Sequence, residues 1–203
     1  MITIKEAVSK KEIKQFVKFP FSLYENSKYW VPPIISEEIK VFNKKTNPVL
    51  ENADAQLFLA YKDGKIVGRV AAIINWLEVN DQGIRKMRFG WLDMIDDIEV
   101  TNALLNKVET IGKSQNMDYM EGPMGFSNLD KVGVLTYGYD EIGTMVTWYN
   151  HHYYVDHYKQ LNFKIEKEYV EHTHQLSDII IQNSNRLEEL IKKRYNLRAL
   201  NFN

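Results

Sequence analysis

The chain has 203 residues, of which 44% are apolar, and a net charge of −1, so one domain of ordinary size with a large hydrophobic core is expected. This charge balance argues against a nucleic-acid or anionic-membrane binder, because such proteins carry a basic surplus. The absence of cysteine excludes disulfides, thiolate catalysis and cysteine-bound zinc, and it favours a reducing cytosol. The N-terminus lacks the apolar core of a signal peptide, and the most apolar stretch, IVGRVAAIINWLEV, is too short to span a bilayer. We therefore expect a soluble, cytoplasmic protein.

The first half of the chain predicts a strand, two helices and a hairpin. A strand is predicted at residues 2 to 7, Ser9 begins a helical pattern, and a second helix is expected near residues 34 to 43. Two apolar runs then flank Lys62-Asp63-Gly64-Lys65, and Asp-Gly is a strong signal for a two-residue hairpin. Both faces of these runs carry apolar residues, which indicates a sheet covered on both sides.

The second half predicts alternating strands and helices, joined to the first half by a polar connection at residues 76 to 86. In chain order they are a strand (87–95), a helix (97–114), a strand (118–124), a short helix (153–163), a strand (164–176) and a charged amphipathic helix (184–195). Residues 125 to 150 are rich in glycine and aromatic residues and predict no defined element. The whole order predicts an α/β fold with a mixed, mostly antiparallel sheet and helices on both faces.

Three segments in this order resemble the GNAT superfamily of acyl-CoA N-acyltransferases. They are the hairpin LFLAYKDGKIVGRVA, the strand-to-helix junction at residues 93 to 100, and HYKQLNF at residues 157 to 163. The resemblance covers residues 1 to 176. The runs FPFSLYENSKYWVPP, EGPM and WYNHHYY are similar to a narrower group of bacterial GNAT-like proteins, which are longer and carry a second GNAT-like half. Residues 177 to 203 would then be a linker and a helix that opens this second half.

The resemblance implies an acyl-CoA cofactor, with acetyl-CoA as the usual case, whose pyrophosphate would lie against Met94, Ile95, Asp96 and Val100. A helix start suits an anion, because its first N–H groups are unpaired and the helix dipole is positive there. Here, however, the junction has neither glycine nor a basic residue, and Asp96 with Glu99 forms the pattern of a capping box that uses the same N–H groups. The capped helix is the favoured interpretation, so weak or absent acetyl-CoA binding is predicted.

Two residues are candidates for catalysis by resemblance. Asp93 lies mid-strand among apolar residues and would be the general base that deprotonates an amine. The alternative, which we favour, is an ion pair with Arg69, which would lie near Asp93 if the strands 65–75 and 87–95 form a hairpin. Tyr158 matches the family tyrosine that protonates the leaving thiolate, although Asn162 replaces the usual glycine of that motif. The alternative for Tyr158 is a tyrosine of the hydrophobic core.

The run WYNHHYY contributes the candidate substrate-binding residues, because aromatic rings with polar tips suit a pocket for a small molecule or peptide. They are Trp148, Tyr149, Asn150, His151 and His152; a local aromatic core is the alternative. His172 and His174 alternate on a predicted strand, but their spacing is not diagnostic of a metal, and none is predicted. The predicted function is N-acyl transfer to an unknown amine. The alternative is a degenerate GNAT-fold domain that binds a ligand or supports a catalytic second half.

Overall fold

The computed structural model describes residues 1–127, 129–172 and 178–198. The chain divides into two compact units, Met1–Lys167 and Glu168–Asn203. The described part of the second unit contains one long helix, α6 (Asp178–Tyr195), which has the amphipathic character that the sequence predicted. The sheet and the helices that cover it belong to the first unit.

The sheet in the described part of the first unit has five strands, which lie in the order of the sequence. Three antiparallel pairings join β1 to β2, β2 to β3 and β3 to β4, and a parallel pairing joins β4 to β5. The predicted mixed, mostly antiparallel sheet is therefore confirmed. The strands are β1 (Ile2–Glu6), β2 (Ala53–Lys62), β3 (Lys65–Asn75), β4 (Lys86–Met94) and β5 (Tyr119–Glu121).

The β2–β3 hairpin has the turn that the sequence predicted. Lys62 pairs with Lys65, and the two residues between them, Asp63 and Gly64, have φ angles of 51° and 76°. Two consecutive positive φ angles define the turn type that matches the twist of the flanking strands, and aspartate followed by glycine tolerates them at low cost. On its other side β3 pairs with β4, and this pairing places Arg69 opposite Asp93.

Helices cover both faces of the sheet, as predicted. Helices α1 (Lys10–Leu23) and α2 (Ile35–Val41) pack on one face, and α4 (Ile98–Ser114) and α5 (Tyr153–Gln160) pack on the other. Alternate residues of each strand therefore enter different hydrophobic clusters. The cluster under α1 includes Phe16, Val17, Leu57, Leu59 and Ile73; the cluster under α4 and α5 includes Phe58, Val70, Phe89, Leu104 and Val108.

Two elements differ from the prediction. The connection after β3 contains a short helix, α3 (Trp76–Asp81), because the Asn75 side chain accepts hydrogen bonds from the first N–H groups of that helix. The strand predicted at 164–176 is wrong for residues 164–172, which form no strand in the structure, and residues 173–176 lie outside the described residues. The apolar side chains of Ile165 and Val170 are exposed. An alternating pattern of apolar and polar residues is therefore not sufficient for a strand, which also needs a neighbouring strand to pair with.

A buried group of charges ties α3 to the start of β4. Arg88 donates to both carboxylate oxygens of Glu78, at 2.9 and 2.5 Å, and to the carbonyl of Gly125 at 3.1 Å. Lys86 lies 3.3 Å from Glu78 and 3.0 Å from Glu121. Burial opposes the charged form of Glu78, but Arg88 and then Lys86 outweigh it and hold the pKa of this carboxyl below its usual range. These contacts anchor the segment that follows β5.

Candidate functional site

The candidate site is a cleft between the end of β4 and the segment that follows β5. The two strands pair from Lys86 and Tyr119 to Arg88 and Glu121, and one further bond follows, from the N–H of Met124 to the carbonyl of Phe89. Beyond that point the two segments part and leave about 270 Å³ of space that includes open solvent. The walls are formed by Trp91, Leu92 and Asp93 on one side, Pro123, Gly133 and Val134 on the other, and Trp148, Tyr149, Asn150 and Tyr154.

Two glycines allow the chains to approach closely before they part. A Cβ atom on Gly90 would lie 2.3 Å from the carbonyl oxygen of Met124, and one on Gly122 would lie 2.3 Å from the carbonyl oxygen of Phe89. Both distances are far below a van der Waals contact, and both obstacles are backbone atoms that cannot turn away. Glycine at these two positions therefore sets the width of the cleft at its closed end.

A bulge in β4 shapes one wall of the cleft. The β3–β4 register shifts between Arg69 and Ala71, and Trp91 has a φ of 46°, which is unusual for a large aromatic residue. Its indole N–H donates to Glu38, and its ring packs against Trp148 at 5.8 Å between centroids. Backbone strain of this kind is held by surrounding contacts and is typical of functional sites. No pattern in the sequence indicated the bulge.

Asp93 lies in a buried network of hydrogen bonds. Its Oδ2 accepts from Arg69 Nε at 2.8 Å and lies 2.7 Å from Arg69 Nη2, so the predicted ion pair is confirmed. Its Oδ1 accepts from the hydroxyls of Tyr24 at 2.7 Å and Tyr154 at 3.2 Å. Arg69 is itself fixed by donation to the carbonyl of Phe16 at 2.9 Å. Both oxygens of the carboxylate are therefore occupied within the protein.

Tyr24 and Tyr154 are part of the site although the sequence gave no reason to select them. Their hydroxyls lie 2.9 Å apart, and the Tyr154 hydroxyl also accepts from the N–H of Met94 at 3.2 Å. Burial raises the pKa of both phenols well above the usual value, and the charge of Asp93 raises it further. Both hydroxyls therefore stay protonated at neutral pH and act as donors to Asp93.

Tyr158 has a buried hydroxyl that makes no hydrogen bond within the described part of the chain. The ring stacks on Phe89 at 6.3 Å and meets Phe163 edge-on at 5.2 Å. Burial, followed by the charge of Asp93, raises the pKa of Tyr158 far above its usual value. Asn162 has a φ of 59°, so it ends the helix in the left-handed conformation that the family's glycine would take.

The start of α4 is capped by Asp97, so the predicted capping box of Asp96 with Glu99 is wrong. Asp97 has an extended backbone, its side chain accepts from the N–H of Glu99 at 3.0 Å, and Lys62 Nζ lies 2.7 Å from its Oδ2. Asp96 instead lies 3.2 Å from Nε2 of His157 on α5. The bond with Lys62, then the backbone bonds, outweigh burial and lower the pKa of Asp97. Three carboxylates nevertheless crowd this helix start.

The other candidate cofactor-binding residues use their backbone groups within the protein. The carbonyl of Met94 accepts from the hydroxyl of Tyr153 at 2.6 Å, and the N–H of Ile95 donates to the carbonyl of Val67 at 3.0 Å. The N–H of Val100 donates within the first turn of α4, and its side chain is fully buried. A role of these residues in binding CoA stays a prediction.

The structure brings three of the five candidate substrate-binding residues to the cleft, namely Trp148, Tyr149 and Asn150. Asn150 is buried, accepts from the N–H of Leu135 at 2.6 Å, and donates to the carbonyl of the same residue at 3.2 Å. It therefore holds the chain that forms the far wall. His151 and His152 are not among the residues that line the cleft.

The two histidines face other parts of the fold. His151 Nε2 lies 3.3 Å from the carbonyl of Leu23, and its ring packs against Tyr24 at 4.9 Å. His152 stacks on Tyr139 at 3.7 Å.

Among the described residues, no group of three histidine and acidic side chains is arranged to hold a metal ion, and His174 lies outside them. Within the same ranges, no helix combines the length and the apolar character that crossing a bilayer requires.

Comparison with known proteins shows which proteins this chain resembles in sequence. No family model matches the sequence. The chain is 28% identical over 199 residues to protein YghO of Escherichia coli (strain K12), an alignment that covers 98% of this chain and 51% of YghO. It is 32% identical over 130 residues to the bacterial ceramide synthase of Caulobacter vibrioides, covering 64% of this chain and 34% of that protein. The chain therefore spans about half of one relative and about a third of the other.

Solved structures identify the fold. An aminoglycoside acetyltransferase from an uncultured soil metagenomic sample, in complex with trehalose, matches 87% of this chain and 97% of its own, with a TM-score of 0.50 and 14% identity. A predicted acetyltransferase from Clostridium acetobutylicum, solved with acetyl-CoA, matches 85% of this chain and 96% of its own, with the same TM-score and identity. The order of elements, the parting of β4 from β5 and these matches together show that the chain has the GNAT fold.

Proposed function

We propose that this domain transfers an acyl group from an acyl-CoA to an amine in the cleft between β4 and the segment after β5. The observation that carries the proposal is the Tyr158 hydroxyl, which is buried and makes no hydrogen bond in the described structure. Tyr158 is not among the residues that line the cleft, but its ring stacks on Phe89, where β4 parts from the segment after β5. A buried hydroxyl without a partner is destabilising, so its retention suggests that a ligand supplies the missing acceptor. The leaving sulfur of a thioester is such an acceptor.

The proposed reaction is a direct transfer. The amine nitrogen attacks the thioester carbonyl, a C–N bond forms, the C–S bond breaks, and the CoA thiolate leaves and takes up the proton that the nitrogen loses. The raised pKa of Tyr158 makes it a poor source of a free proton, so we assign it donation of a hydrogen bond to the developing thiolate. Asp93 is either the base that accepts the amine proton or a structural anion, and we favour the structural role because Arg69 already neutralises it.

The relatives support acyl transfer to nitrogen. The Caulobacter protein is named a ceramide synthase, and a ceramide is by definition an amide of an amino alcohol. A further structure of the soil aminoglycoside acetyltransferase was solved in complex with sisomicin, and the Clostridium structure was solved with acetyl-CoA. Because this chain spans only part of both relatives by sequence, we propose the reaction type alone and leave the acceptor as a small-molecule or peptide amine. A second GNAT-like half and a cytoplasmic location remain predictions.

The test is the release of free CoA from acetyl-CoA and from a long-chain acyl-CoA in the presence of a panel of primary amines. We expect release that depends on the amine, and a loss of roughly a hundredfold in Tyr158→Phe, within the usual range for removing one such donor. Tyr119→Phe is the matched control, because Tyr119 is half exposed on β5 whereas Tyr158 is buried. Full activity of Tyr158→Phe would remove the assigned role, and the absence of amine-dependent release with every acyl-CoA would reject the reaction.

One observation favours a second function, that of a non-catalytic GNAT-fold domain that binds a ligand or supports a catalytic second half. The carboxylates of Asp96, Asp97 and Glu99 gather where the resemblance implies the CoA pyrophosphate, and only Asp97 has a lysine partner in the described residues. Calorimetric titration with acetyl-CoA separates the two functions. A complete lack of binding at both low and high salt would favour the non-catalytic domain.

A further inference from the structure

Residues 131–135 contribute one wall of the cleft and are bonded to neighbouring segments on both sides. On one side, the N–H of Gly133, which lines the cleft, donates to the carbonyl of Pro123 at 2.9 Å. On the other side, Val132 pairs with Thr147 in an isolated parallel bridge outside the main sheet. The position of this wall therefore depends on its pairing with the segment around Thr147.

The side chain of Asn150 continues this pairing where the backbone bridge ends. Asn150 and Leu135 lie fifteen residues apart, the same separation as Val132 and Thr147, so the register is kept. The Oδ1 atom of Asn150 accepts from the N–H of Leu135 at 2.6 Å, and its Nδ2 donates to the carbonyl of Leu135 at 3.2 Å. Two residues of neighbouring strands exchange the same pair of bonds through their backbones. The side-chain amide thus replaces a strand partner.

The amide of Asn150 is buried and is fully engaged in holding the protein chain. The residue is 3% exposed, and its Nδ2 also donates to the carbonyl of His151 at 3.0 Å. An asparagine amide has two N–H donors, and both are therefore used within the protein. Asn150 can influence a ligand in the cleft only through its neighbours. These are Val134, which precedes Leu135, and Tyr149, and both line the cleft.

We propose that Asn150 is a positioning residue for the proposed acyl transfer. By pairing with Leu135, it holds Val134 and Tyr149 at a fixed separation and so keeps the reacting groups in place between them. The proposal rests on the proposed function for the reaction, but the pairing itself needs no ligand. A small displacement of groups that orient a substrate lowers the rate by up to about a hundredfold.

The test replaces the amide with a group whose pairing ability depends on pH. In Asn150→Asp, a neutral carboxyl can still accept from the N–H of Leu135 and donate to its carbonyl, whereas a carboxylate cannot donate and repels that carbonyl. Burial favours the neutral form of the introduced group, so the pairing should return on mild acidification. The kinetic constants for amine-dependent release of CoA are measured at about pH 8 and about pH 5, each as a ratio to the unmodified protein.

We expect kcat of Asn150→Asp to be roughly ten- to a hundredfold below that of the unmodified protein at the higher pH, with a smaller change in KM. The deficit should shrink at the lower pH. The assays are run at a temperature at which circular dichroism shows both proteins to be folded, because a mere loss of stability then leaves the rate unchanged. Asn80→Asp is the matched control, since it adds the same charge at an exposed position of α3. Its ratio should stay near one at both pH values.

Hydrogen exchange tests the pairing without any substrate. In Asn150→Ala, the N–H of Leu135 loses its acceptor, so its exchange measured by NMR should become roughly tenfold faster or more. Unchanged exchange at Leu135 would overturn the proposal, because the pairing would then hold nothing in place.

The kinetic outcomes separate this proposal from the proposed function. Full activity of Asn150→Asp at the higher pH, or a deficit that does not change with pH, would reject the positioning role alone. If the unmodified protein releases no CoA with any amine, the proposed function fails and the positioning role fails with it.

Discussion

Replacing Asp93 with Asn tests whether the central carboxylate of the cleft is structural. The change keeps the size of the side chain but leaves the Arg69 guanidinium without its ion-pair partner. The side chains of Arg69 and Asp93 are only 6% and 10% exposed, so water cannot replace the lost contact. Removing one member of a buried pair costs about 3–5 kcal/mol. For a domain of this size, that loss lowers the melting temperature by roughly 6–20 °C.

The second substitution makes the prediction specific. Arg69→Met added to Asp93→Asn removes the unpaired cation and retains an apolar chain of similar length, so we expect the double variant to recover part of the lost stability. Full recovery is not expected, because Arg69 also binds the carbonyl of Phe16 and lies over the Phe16 ring at 5.0 Å. The control is Glu37→Gln, which breaks an exposed pair with Lys40 and should change stability by less than about 1 kcal/mol.

The assay combines thermal melts, monitored by circular dichroism, with the CoA-release measurement on the same proteins. A structural Asp93 gives an Asp93→Asn protein of low stability that Arg69→Met partly rescues. If Asp93→Asn is instead as stable as the unmodified protein, correctly folded and inactive, the structural argument is refuted and Asp93 is the general base.

Three other predictions concern the cleft, the start of α4 and the buried charges. Gly90→Ala should destabilise the domain by about 1–3 kcal/mol or more in urea unfolding, because its Cβ meets a backbone carbonyl; an unchanged midpoint would contradict this. Asp96→Asn with Glu99→Gln should tighten acetyl-CoA binding by roughly three- to thirtyfold at low salt, and by less at high salt, in calorimetry; sub-micromolar binding by the unmodified protein at low salt would show that the junction does not repel CoA. Because the pKa of Glu78 is lowered in the folded state, its contribution to stability is present above about pH 4.3 and is lost as the pH falls through the folded-state pKa. The stability difference between the unmodified protein and Glu78→Gln should therefore shrink on acidification, and a constant difference would contradict it.

Local sequence patterns were sufficient for most of the fold. The Asp63-Gly64 turn, the left-handed helix end at Asn162 and the helix that follows β4 all follow from preferences that act within a few residues. The pairing of Arg69 with Asp93 also followed, because β3 and β4 are consecutive strands and an antiparallel pairing between them brings these two residues together. These features depend on residue types and on their spacing along the chain, both of which can be taken directly from the sequence.

The capping pattern at α4 shows where such reasoning failed. Asp96 and Asp97 are neighbours of the same type, and either can cap a helix by its chemistry. In the structure, Asp97 is the N-cap of α4. Lys62 from the β2–β3 hairpin forms an ion pair with Asp97, while His157 from α5 lies beside Asp96. Both partners are distant in the sequence, so no local pattern could distinguish the two aspartates.

The same limitation applies to the network around Asp93, and it bears on how the site works. Tyr24 lies at the end of α1, 69 residues before Asp93, and Tyr154 lies 61 residues after it, so only the assembled fold brings the three together. Burial, and then the charge of Asp93, keeps both phenols protonated, and Arg69 is the ion-pair partner of Asp93. A substitution in any member therefore alters the others, which is why the stability of Asp93→Asn and its activity must be measured on the same protein.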